Sequence, residues 1–327
     1  MDEQSPQQTA PPLLSIVVPA YNEMEVIEAF HQRLQDVLAG MSIRSEIVYV
    51  NDGSTDDTLT MLRGLTSPTG TVRVLDLSRN FGKEIAMTAG LDHTGGDAVV
   101  VIDADLQDPP ELIPELVDGW QQGYDVVYAT RASRDGETAL KKATAKLFYR
   151  TIQKLAGKVH IPEDTGDFRL MSRRATEAVT QLREQHRFMK GLFAWVGFPQ
   201  KSVRYRRDPR YAGTTKWNYW KLWNFSLEGI TSFSTAPLRL ATYFGFATAS
   251  LSFAYGLFII AKTLLLGEPV PGFPSLIALI TFLGGVQLLT IGVLGEYLGR
   301  MFNEVKHRPL YLLAGDYIAE AVQPRSE

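Results

Sequence analysis

The sequence predicts an α/β domain with a mostly parallel sheet flanked by helices, followed by interfacial amphipathic helices and a C-terminal two-helix transmembrane hairpin. Over the first 130 residues, short apolar runs alternate with stretches of helical spacing, an order typical of parallel sheets. Two long runs near the C-terminus, 240–261 and 269–295, contain no charged residue. The 327 residues leave room for both parts, because an α/β domain needs only about 200 of them.

The elements of the α/β part follow from the periodicity of the apolar residues. Strands are predicted at 14–19, 46–52, 72–77, 98–103 and 126–129. Helices are predicted at 25–38, 56–65, 83–92 and 111–120. Further along, 140–156 and 173–187 have helical spacing, and 201–205 is a candidate late strand. Because the helices connect parallel strands, they should cover both faces of the sheet.

Each of the two uncharged runs exceeds the ~20 residues that a helix needs to cross ~30 Å of hydrocarbon. Two buried core helices are the alternative, which two such runs in tandem disfavour. Before the first run, aromatic residues cluster between Trp217 and Phe225, with three tryptophans spaced three apart. This composition predicts a helix in the membrane interface, and a soluble core helix is the alternative.

Charge is distributed unevenly along the chain. Residues 1–130 hold 6 Lys and Arg against 21 Asp and Glu, whereas residues 131–239 hold 22 against 9. A basic block before a membrane hairpin suits anionic headgroups and phosphorylated substrates. Basic residues flank the hairpin on its outer ends, so the positive-inside rule predicts a cytoplasmic location for both termini and the large domain. The absence of cysteine excludes disulfides and a thiol nucleophile.

Acidic residues follow two of the predicted strands. Asp103 and Asp105 end an apolar run, and if the strand extends through Asp105 they share a face and can hold one divalent cation. Asp52 ends a second run and precedes Gly53. Both groups should meet at the carboxyl edge of the sheet, where such folds bind ligands. The alternatives are a helix N-cap for Asp105 and a plain Asp-Gly turn for Asp52.

Six motifs, taken in their order along the chain, resemble those of a known family. They are Pro19-Ala-Tyr-Asn-Glu23, Asn51-Asp-Gly-Ser54, Asn80-Phe-Gly-Lys-Glu84, Asp103-Ala-Asp-Leu-Gln-Asp-Pro-Pro-Glu111, Asp164-Thr-Gly-Asp-Phe-Arg169 and Arg210-Tyr-Ala-Gly-Thr-Thr-Lys216. In this order they resemble family 2 glycosyltransferases of the GT-A fold, and within them the polyprenyl-phosphate glycosyltransferases. The resemblance covers about residues 14–308. A Gln-x-x-Arg-Trp motif of processive synthases is absent from the sequence, which favours transfer of one sugar at a time.

The resemblance implies a role for each matching residue. Asp103, Asp105 and Gln107 would hold Mg²⁺ or Mn²⁺ against the diphosphate, and Asp167 is the acidic residue beside the acceptor. Arg210 and Lys216 would belong to a loop that closes over the phosphates. The remaining substrate-binding positions are Pro19, Ala20, Tyr21 and Glu23 at the nucleotide, Asp52 at the base or ribose, Arg131 near the sugar or phosphates, and Lys83 and Arg169, for which no particular part of the substrate is specified.

The implied reaction is inverting transfer of a single sugar, with UDP-glucose as the first expectation, to a polyprenyl (undecaprenyl) phosphate on the cytoplasmic leaflet. GDP-mannose as donor, and a non-catalytic scaffold or translocation partner, are the alternatives. A homo-oligomer is compatible with two thin spans, and nucleic acid is not an expected partner. The expected organisation is a disordered tail (1–12), the GT-A domain (13–215), interfacial helices (216–237), two spans (about 240–262 and 272–295, within 238–298) and a cytoplasmic C-terminal tail (299–327).

Overall fold

The computed structural model describes residues 11–131, 165–205, 236–266 and 272–319. These residues form one eight-stranded sheet in the order β7-β5-β6-β4-β1-β2-β3-β8. The strands are β1 Leu13–Ala20, β2 Arg44–Asn51, β3 Gly70–Leu77, β4 Ala98–Val101, β5 Val126–Arg131, β6 Thr165–Ser172, β7 Gln200–Tyr205 and β8 Leu313–Ala319.

Most of the sheet is parallel, as the sequence predicts. β1 pairs in parallel with both β2 and β4, β2 with β3, and β5 with β7. β6 runs antiparallel between β4 and β5, and β8 runs antiparallel along the outer edge of β3. The predicted late strand is present as β7.

Helices cover both faces of the sheet. The helices of the α/β part are α1 Ile27–Ala39, α2 Thr58–Gly64, α3 Lys83–Asp92, α4 Ile113–Gln121, α5 Arg173–Gln181 and α6 Met189–Trp195. Along β1, Ile16 packs on the side of α1, α2 and α4, whereas Val17 packs on the side of α3, α5 and α6. The two faces are therefore both closed by apolar packing, and ligands have access at the strand ends.

Two apolar helices follow, α7 Ala236–Leu266 and α8 Phe273–Val305. Each contains a segment long and apolar enough to span a membrane, Leu238–Ile259 and Leu279–Val305, and neither segment is buried in the protein. Large side chains such as Phe246 (75% exposed) and Leu264 (81% exposed) point outward. A soluble surface does not carry so much contiguous apolar area, so the pair has the character of a membrane hairpin.

The structure corrects two details of the predicted elements. β4 ends at Val101, so Asp103 and Asp105 lie in the following turn rather than on a strand that continues through Asp105. Leu106 there has a φ of 58°, a left-handed conformation that no strand contains. The N-cap alternative for Asp105 is also wrong, because Pro109 occupies the cap position of the following short 3₁₀ turn.

The second correction concerns the segment after the hairpin, where no element is predicted. β8 pairs with β3 over six residue pairs, and Arg73 on β3 makes a bidentate ion pair with Asp316 at 2.9 and 2.7 Å. β8 is mostly half-exposed or exposed, so its sequence lacks the apolar run by which the inner strands are recognised. The predicted helix at 140–156 lies outside the described residues, and so does the predicted interfacial segment 216–237 except for 236–237, which begin α7.

Candidate active site

The rim of the site begins where β1 and β2 end side by side. Ala20 pairs with Asn51, the last residue of β2, and the loops that follow are tied together. Asn22 Oδ1 accepts a hydrogen bond from Thr55 N at 2.8 Å, and Glu23 N donates to Thr58 Oγ1 at 2.9 Å. The predicted nucleotide-binding residues share this rim, since they form the end of β1 and its loop: Pro19, Ala20, Tyr21 and Glu23.

Asp52 lies just below this rim and is 3% exposed. Its carboxylate accepts hydrogen bonds from Phe81 N at 2.7 Å and Gly82 N at 3.0 Å. Burial raises the pKa of Asp52, and the two backbone bonds oppose that shift. Asp52 therefore fixes the loop that leads into α3. Gly53 has a φ of 63° and no room for a Cβ beside the backbone of Arg79. Asp52 and Gly53 therefore do form a tight turn, as the structural alternative for Asp52 predicts.

Lys83 links two carboxylates at the centre of the carboxyl edge. Its ammonium donates to Asp103 Oδ2 at 2.7 Å and to Asp167 Oδ2 at 2.5 Å. β4 and β6 are antiparallel neighbours in which Val101 pairs with Arg169, and the same register carried two residues further sets Asp103 opposite Asp167. The structure thus brings together three of the predicted site residues from three separate motifs.

The two carboxylates are electrostatically unequal. Burial raises the pKa of Asp103 to about 6, although Lys83 opposes the shift. Burial also acts on Asp167, but Lys83 and then Lys190 outweigh it and hold the pKa of Asp167 well below its usual range. The pKa of Lys83 itself is raised, because its two carboxylate partners outweigh the partial burial of the ammonium. Asp167 is therefore ionised at neutral pH.

Two carboxylate oxygens in this cluster fit the binding of a cation. Oδ1 of Asp103 and Oδ1 of Asp167 are buried and have no hydrogen-bond partner. Close by, Asp105 Oδ1 accepts a hydrogen bond from Gln107 N at 3.1 Å, which folds the turn. Carboxylate and amide oxygens are the donors that hard divalent cations take. Within the described ranges no three acidic or histidine side chains form a closed metal cage, so such a cation would complete its shell with water or substrate phosphate.

Arg169 lies against the backbone beside Asp167. It is 5% exposed, and its guanidinium donates to the carbonyl oxygens of Gly166 at 2.9 Å and Asp167 at 3.3 Å. The guanidinium also lies 3.9 Å from the ring centroid of Phe193. Through Nε and Nη2, Arg169 therefore supports the backbone that carries Asp167. A substrate contact of Arg169 stays a prediction.

Arg131 ends β5 and lies beside Tyr205, its pairing partner on β7. Tyr205 donates a short hydrogen bond to Asp108, a buried carboxylate that follows the acidic turn. Asp108 also raises the pKa of Asp103, so the two carboxylates are close. The sequence analysis missed Asp108, although it stands in a motif already singled out. Arg210 and Lys216 lie outside the described residues.

Two further residues of this cluster were missed. Glu84 directly follows Lys83, and its Oε2 accepts a hydrogen bond from Met189 N at 2.9 Å. Burial raises the pKa of Glu84 to about 7, and Asp167 adds to the shift. Lys190 follows Met189 on α6 and belongs to none of the six motifs. Glu84 belongs to the Asn80 to Glu84 motif, which could have identified it, whereas no motif marks Lys190.

Comparison with known proteins agrees with this geometry. The family model described as glycosyl transferase family 2 matches residues 15–180, and the model described as GtrB C-terminal hairpin matches residues 236–301. A site of acidic and basic side chains at the carboxyl edge of an α/β sheet, followed by a membrane hairpin, thus defines a glycosyltransferase. The chain belongs to glycosyl transferase family 2.

Three relatives align with nearly the whole chain. An uncharacterized glycosyltransferase of Synechocystis sp. is 56% identical over 301 residues, 92% of this chain and 94% of its own length. The bactoprenol glucosyl transferase of Shigella phage SfV is 50% identical over 303 residues, 93% of this chain and 98% of its own. A prophage bactoprenol glucosyl transferase homolog of Escherichia coli is 48% identical over 300 residues, 92% of this chain and 98% of its own.

Proposed function

We propose that this glycosyltransferase transfers a single glucose from UDP-glucose to a polyprenyl phosphate, with inversion at the anomeric carbon. The observation that carries the proposal is the full-length alignment, hairpin included, with the phage bactoprenol glucosyl transferase. A lipid acceptor also accounts for the hairpin, because a polyprenyl chain stays in the bilayer and its phosphate must meet the sheet edge near the membrane surface.

The chemistry of the transfer matches the charged cluster. The acceptor phosphate oxygen attacks C1 of the sugar, and the bond from C1 to the diphosphate breaks with its electron pair on the leaving oxygen. Negative charge grows on that diphosphate, so fixed cations are the main catalytic need. Lys83 supplies one cation on the described part of the edge, and we assign Arg210 and Lys216 to the same task. A divalent cation held by Asp103, Asp105 and Gln107 would add further charge neutralisation.

Asp167 orients substrates in this proposal and does not act as the general base. The second pKa of a phosphate monoester is about 6, so the acceptor is already largely ionised near neutral pH. The carboxylate of Asp167 is engaged by Lys83 at 2.5 Å. A base held ionised by a salt bridge is a weak proton acceptor at pH 7. Its remaining oxygen is available for a sugar hydroxyl.

The protein would reside in the cytoplasmic membrane, with the catalytic domain and both termini on the cytoplasmic side. The support is the excess of Lys and Arg outside the hairpin and their scarcity in the loop between the spans. A protease-sensitive tag at the C-terminus should be cut only after the cells are opened. Cleavage of the tag in intact spheroplasts would reverse the orientation.

The decisive experiment supplies purified full-length protein with undecaprenyl phosphate, Mg²⁺ or Mn²⁺ and either labelled UDP-glucose or labelled GDP-mannose. We expect mild-acid-labile label in the lipid extract from UDP-glucose alone. Label from GDP-mannose alone would make the chain a mannosyltransferase. No lipid label from any nucleotide sugar, with nucleotide binding intact, would favour the scaffold alternative.

A further inference from the structure

A second lysine lies close to Asp167 and has no direct partner among the described residues. Lys190 is the second residue of α6 and is partly buried. It lines a pocket together with Thr165 and Arg169, which lie two positions before and after Asp167 on β6. Its charge also lowers the pKa of both Asp167 and Glu84. Within residues 11–131 and 165–205, however, it makes no hydrogen bond and no ion pair within 4.0 Å. The ammonium of Lys190 therefore has no hydrogen-bonding or ion-pairing partner within these two ranges.

The backbone that carries Lys190 is fixed at two points. Glu84 Oε2 accepts the N–H of Met189 at 2.9 Å, which ties the start of α6 to the first turn of α3. One turn later, Phe193 packs under the guanidinium of Arg169. Arg169 in turn holds the backbone beside Asp167. The backbone of Lys190 thus has a defined position relative to Asp167, although no described residue pairs with its ammonium.

The other cations of the cluster are committed to the protein. Lys83 is shared by Asp103 and Asp167, and Arg169 is used by two backbone carbonyls and an aromatic ring. Lys190 differs from both, because a phosphate could approach it without displacing a protein carboxylate from hydrogen-bonding distance. Both substrates of the proposed reaction carry phosphate, so the site needs a cation that a phosphate can reach.

The position of Lys190 favours the acceptor phosphate over the donor diphosphate. The donor diphosphate belongs with the acidic turn, where Asp103 stands. Lys190 lines a pocket with Tyr128 of β5 and Thr165 of β6, whereas Asp103 follows β4, on the other side of β6. Lys190 therefore lies on the side of the edge away from the acidic turn.

We propose that Lys190 binds the phosphate of the lipid acceptor and that Glu84 is the positioning residue that fixes the turn carrying it. This inference rests on the proposed function. No proton moves in this role: Lys190 offsets the charge of the acceptor phosphate while an oxygen of that phosphate bonds to C1. Without that cation, a phosphate dianion would approach Asp167 against like charge.

The test replaces Lys190 by Met, which keeps the length of the side chain and removes the charge. In full-length protein in detergent, Lys190→Met should raise the apparent KM for undecaprenyl phosphate by about 10- to 100-fold, the effect of losing one charged hydrogen bond. The KM for UDP-glucose should stay within about twofold. Lys190→Arg should recover most of the loss, since it restores a cation.

Lys201 offers the matched control. It lies on β7, and its ammonium donates to Gln122 Oε1 at 2.8 Å on the protein surface. Lys201→Met should change neither KM. An unchanged acceptor KM in Lys190→Met, or a rise in the donor KM alone, would overturn the inference.

Two variants of Glu84 test whether it acts by fixing the position of Lys190 or by its own charge. Glu84→Gln keeps an oxygen that accepts the Met189 N–H, so its acceptor KM should stay within a few-fold of the wild type. Glu84→Ala loses that acceptor, and its acceptor KM should approach that of Lys190→Met while UDP-glucose binding by calorimetry is unchanged. A rise in acceptor KM in Glu84→Gln as large as in Glu84→Ala would refute the positioning role.

Failure of the inference and failure of the proposed function give different results. If the wild-type protein puts no sugar on undecaprenyl phosphate, the proposed function fails before any variant is measured. If the wild type is active and Lys190→Met has normal acceptor KM, only the inference fails.

Discussion

At the scale of single residues, the site depends on how one ammonium group holds two acids together. Lys83 donates to both Asp103 and Asp167, whose side chains are 21% and 11% exposed. Two carboxylates this close repel each other unless a cation lies between them. Lys83 therefore maintains the geometry of the edge as well as its charge.

The first prediction removes that ammonium. Lys83→Met should lower turnover by about 10²–10³-fold, comparable with the loss of one group that stabilises developing charge. The measurement is the initial rate of sugar transfer at saturating donor and acceptor. Arg33→Met is the control, because Arg33 pairs with Glu111 on the surface of the helical layer, and it should retain full activity. Normal turnover in Lys83→Met would remove Lys83 from the site.

The second prediction concerns the acidic turn. Asp105→Asn removes a charge without changing volume, so it should abolish transfer and weaken Mn²⁺-dependent UDP binding by calorimetry, while the melting temperature stays constant. Chelator should have the same effect on the wild type. Asp167→Asn should reduce the rate less than Asp105→Asn, and a rise in pH from 7 to 8.5 should rescue it little. Asp118→Asn, exposed on α4, serves as the neutral control. Full activity of Asp105→Asn in metal-free buffer would reject a metal role.

The third prediction is a pH dependence of stability that originates at Glu84. Its pKa in the folded protein is about 7, above the ordinary value of 4.5, so between these values the folded state binds more protons than the unfolded state. Stability should therefore fall as pH rises through this window. The Gln side chain of Glu84→Gln does not titrate. The melting temperature of Glu84→Gln relative to the wild type should therefore rise by a few degrees from pH 5 to pH 8. Parallel melting curves for the two proteins at both pH values would contradict the raised pKa.

Much of this site was predictable from the sequence, because Asp103, Lys83 and Asp167 each stand in a recognisable motif. What the motifs lack is the direction in which each side chain points. Arg169 stands in a motif as prominent as that of Asp167, yet it faces the protein backbone. Lys190 was not predictable, because its proximity to Asp167 arises from the packing of α6 against α3 and β6.

At the scale of elements, the outer strand β8 joins the end of the hairpin to the sheet. Its pairing with β3 is reinforced by the Arg73–Asp316 ion pair and by Arg63, whose guanidinium lies 4.2 Å from the ring centroid of Tyr317. Ser78 N extends the contact by donating to Leu312 O at 2.9 Å. The membrane hairpin is thus an insertion before the last strand rather than an appendage after the sheet.

The fourth prediction tests this strand through its ion pair. The hydrogen bonds from Arg73 hold the pKa of Asp316 below its usual range. A lowered carboxylate pKa stabilises the fold above the ordinary value of about 3.9, and that stabilisation is lost as pH falls toward the folded-state pKa. Because both side chains are about one third exposed, Asp316→Asn should cost only about 0.5–1 kcal/mol at pH 7.

The cost should shrink at pH 3, and urea unfolding of the wild type and Asp316→Asn at the two pH values measures it. A double-mutant cycle with Arg73→Gln isolates the coupling between the two side chains. A penalty that is equal at pH 7 and pH 3 would show that the ion pair does not contribute.

The inner strands were predictable for a reason that fails at the edge. A strand covered on both faces needs a continuous apolar run, and β1, β2 and β4 each have one. β8 is covered on little of its surface, so its sequence resembles an ordinary polar segment. β4 ends two residues earlier than predicted for a similar reason. An apolar run indicates which residues are buried, but it does not indicate where strand pairing ends.

At the scale of the whole molecule, the catalytic sheet and the hairpin are also joined by polar contacts. Gln185, in the loop before α6, donates from its backbone to Glu304 Oε1 at 2.8 Å and from its side chain to Arg308 O at 2.5 Å. Asn303 lies 3.0 Å from the ring of His186. The base of α8 is therefore held to the α/β part as well as to β8.

The fifth prediction separates the hairpin from the strand that follows it. Replacement of 238–298 by a flexible linker should leave UDP-glucose binding intact and abolish transfer to long-chain acceptor in bilayers. Ending the chain at residue 233 removes β8 too, so it should expose the edge of β3 and cause aggregation. UDP-glucose binding and light scattering distinguish the two shortened proteins. Normal transfer in bilayers by the linker protein would show that the hairpin is not needed for acceptor delivery.

Because β8 follows the hairpin in the chain, the order of synthesis determines when the sheet can be completed. A ribosome releases the chain from its N-terminus, so both apolar helices emerge before residues 313–319 do. Until then the outer edge of β3 has no partner. The sheet can be completed only after the translocation machinery has received the hairpin, and a chain whose helices fail to insert should stay an unfinished sheet with an open edge, a target for quality-control proteases rather than a stray soluble enzyme.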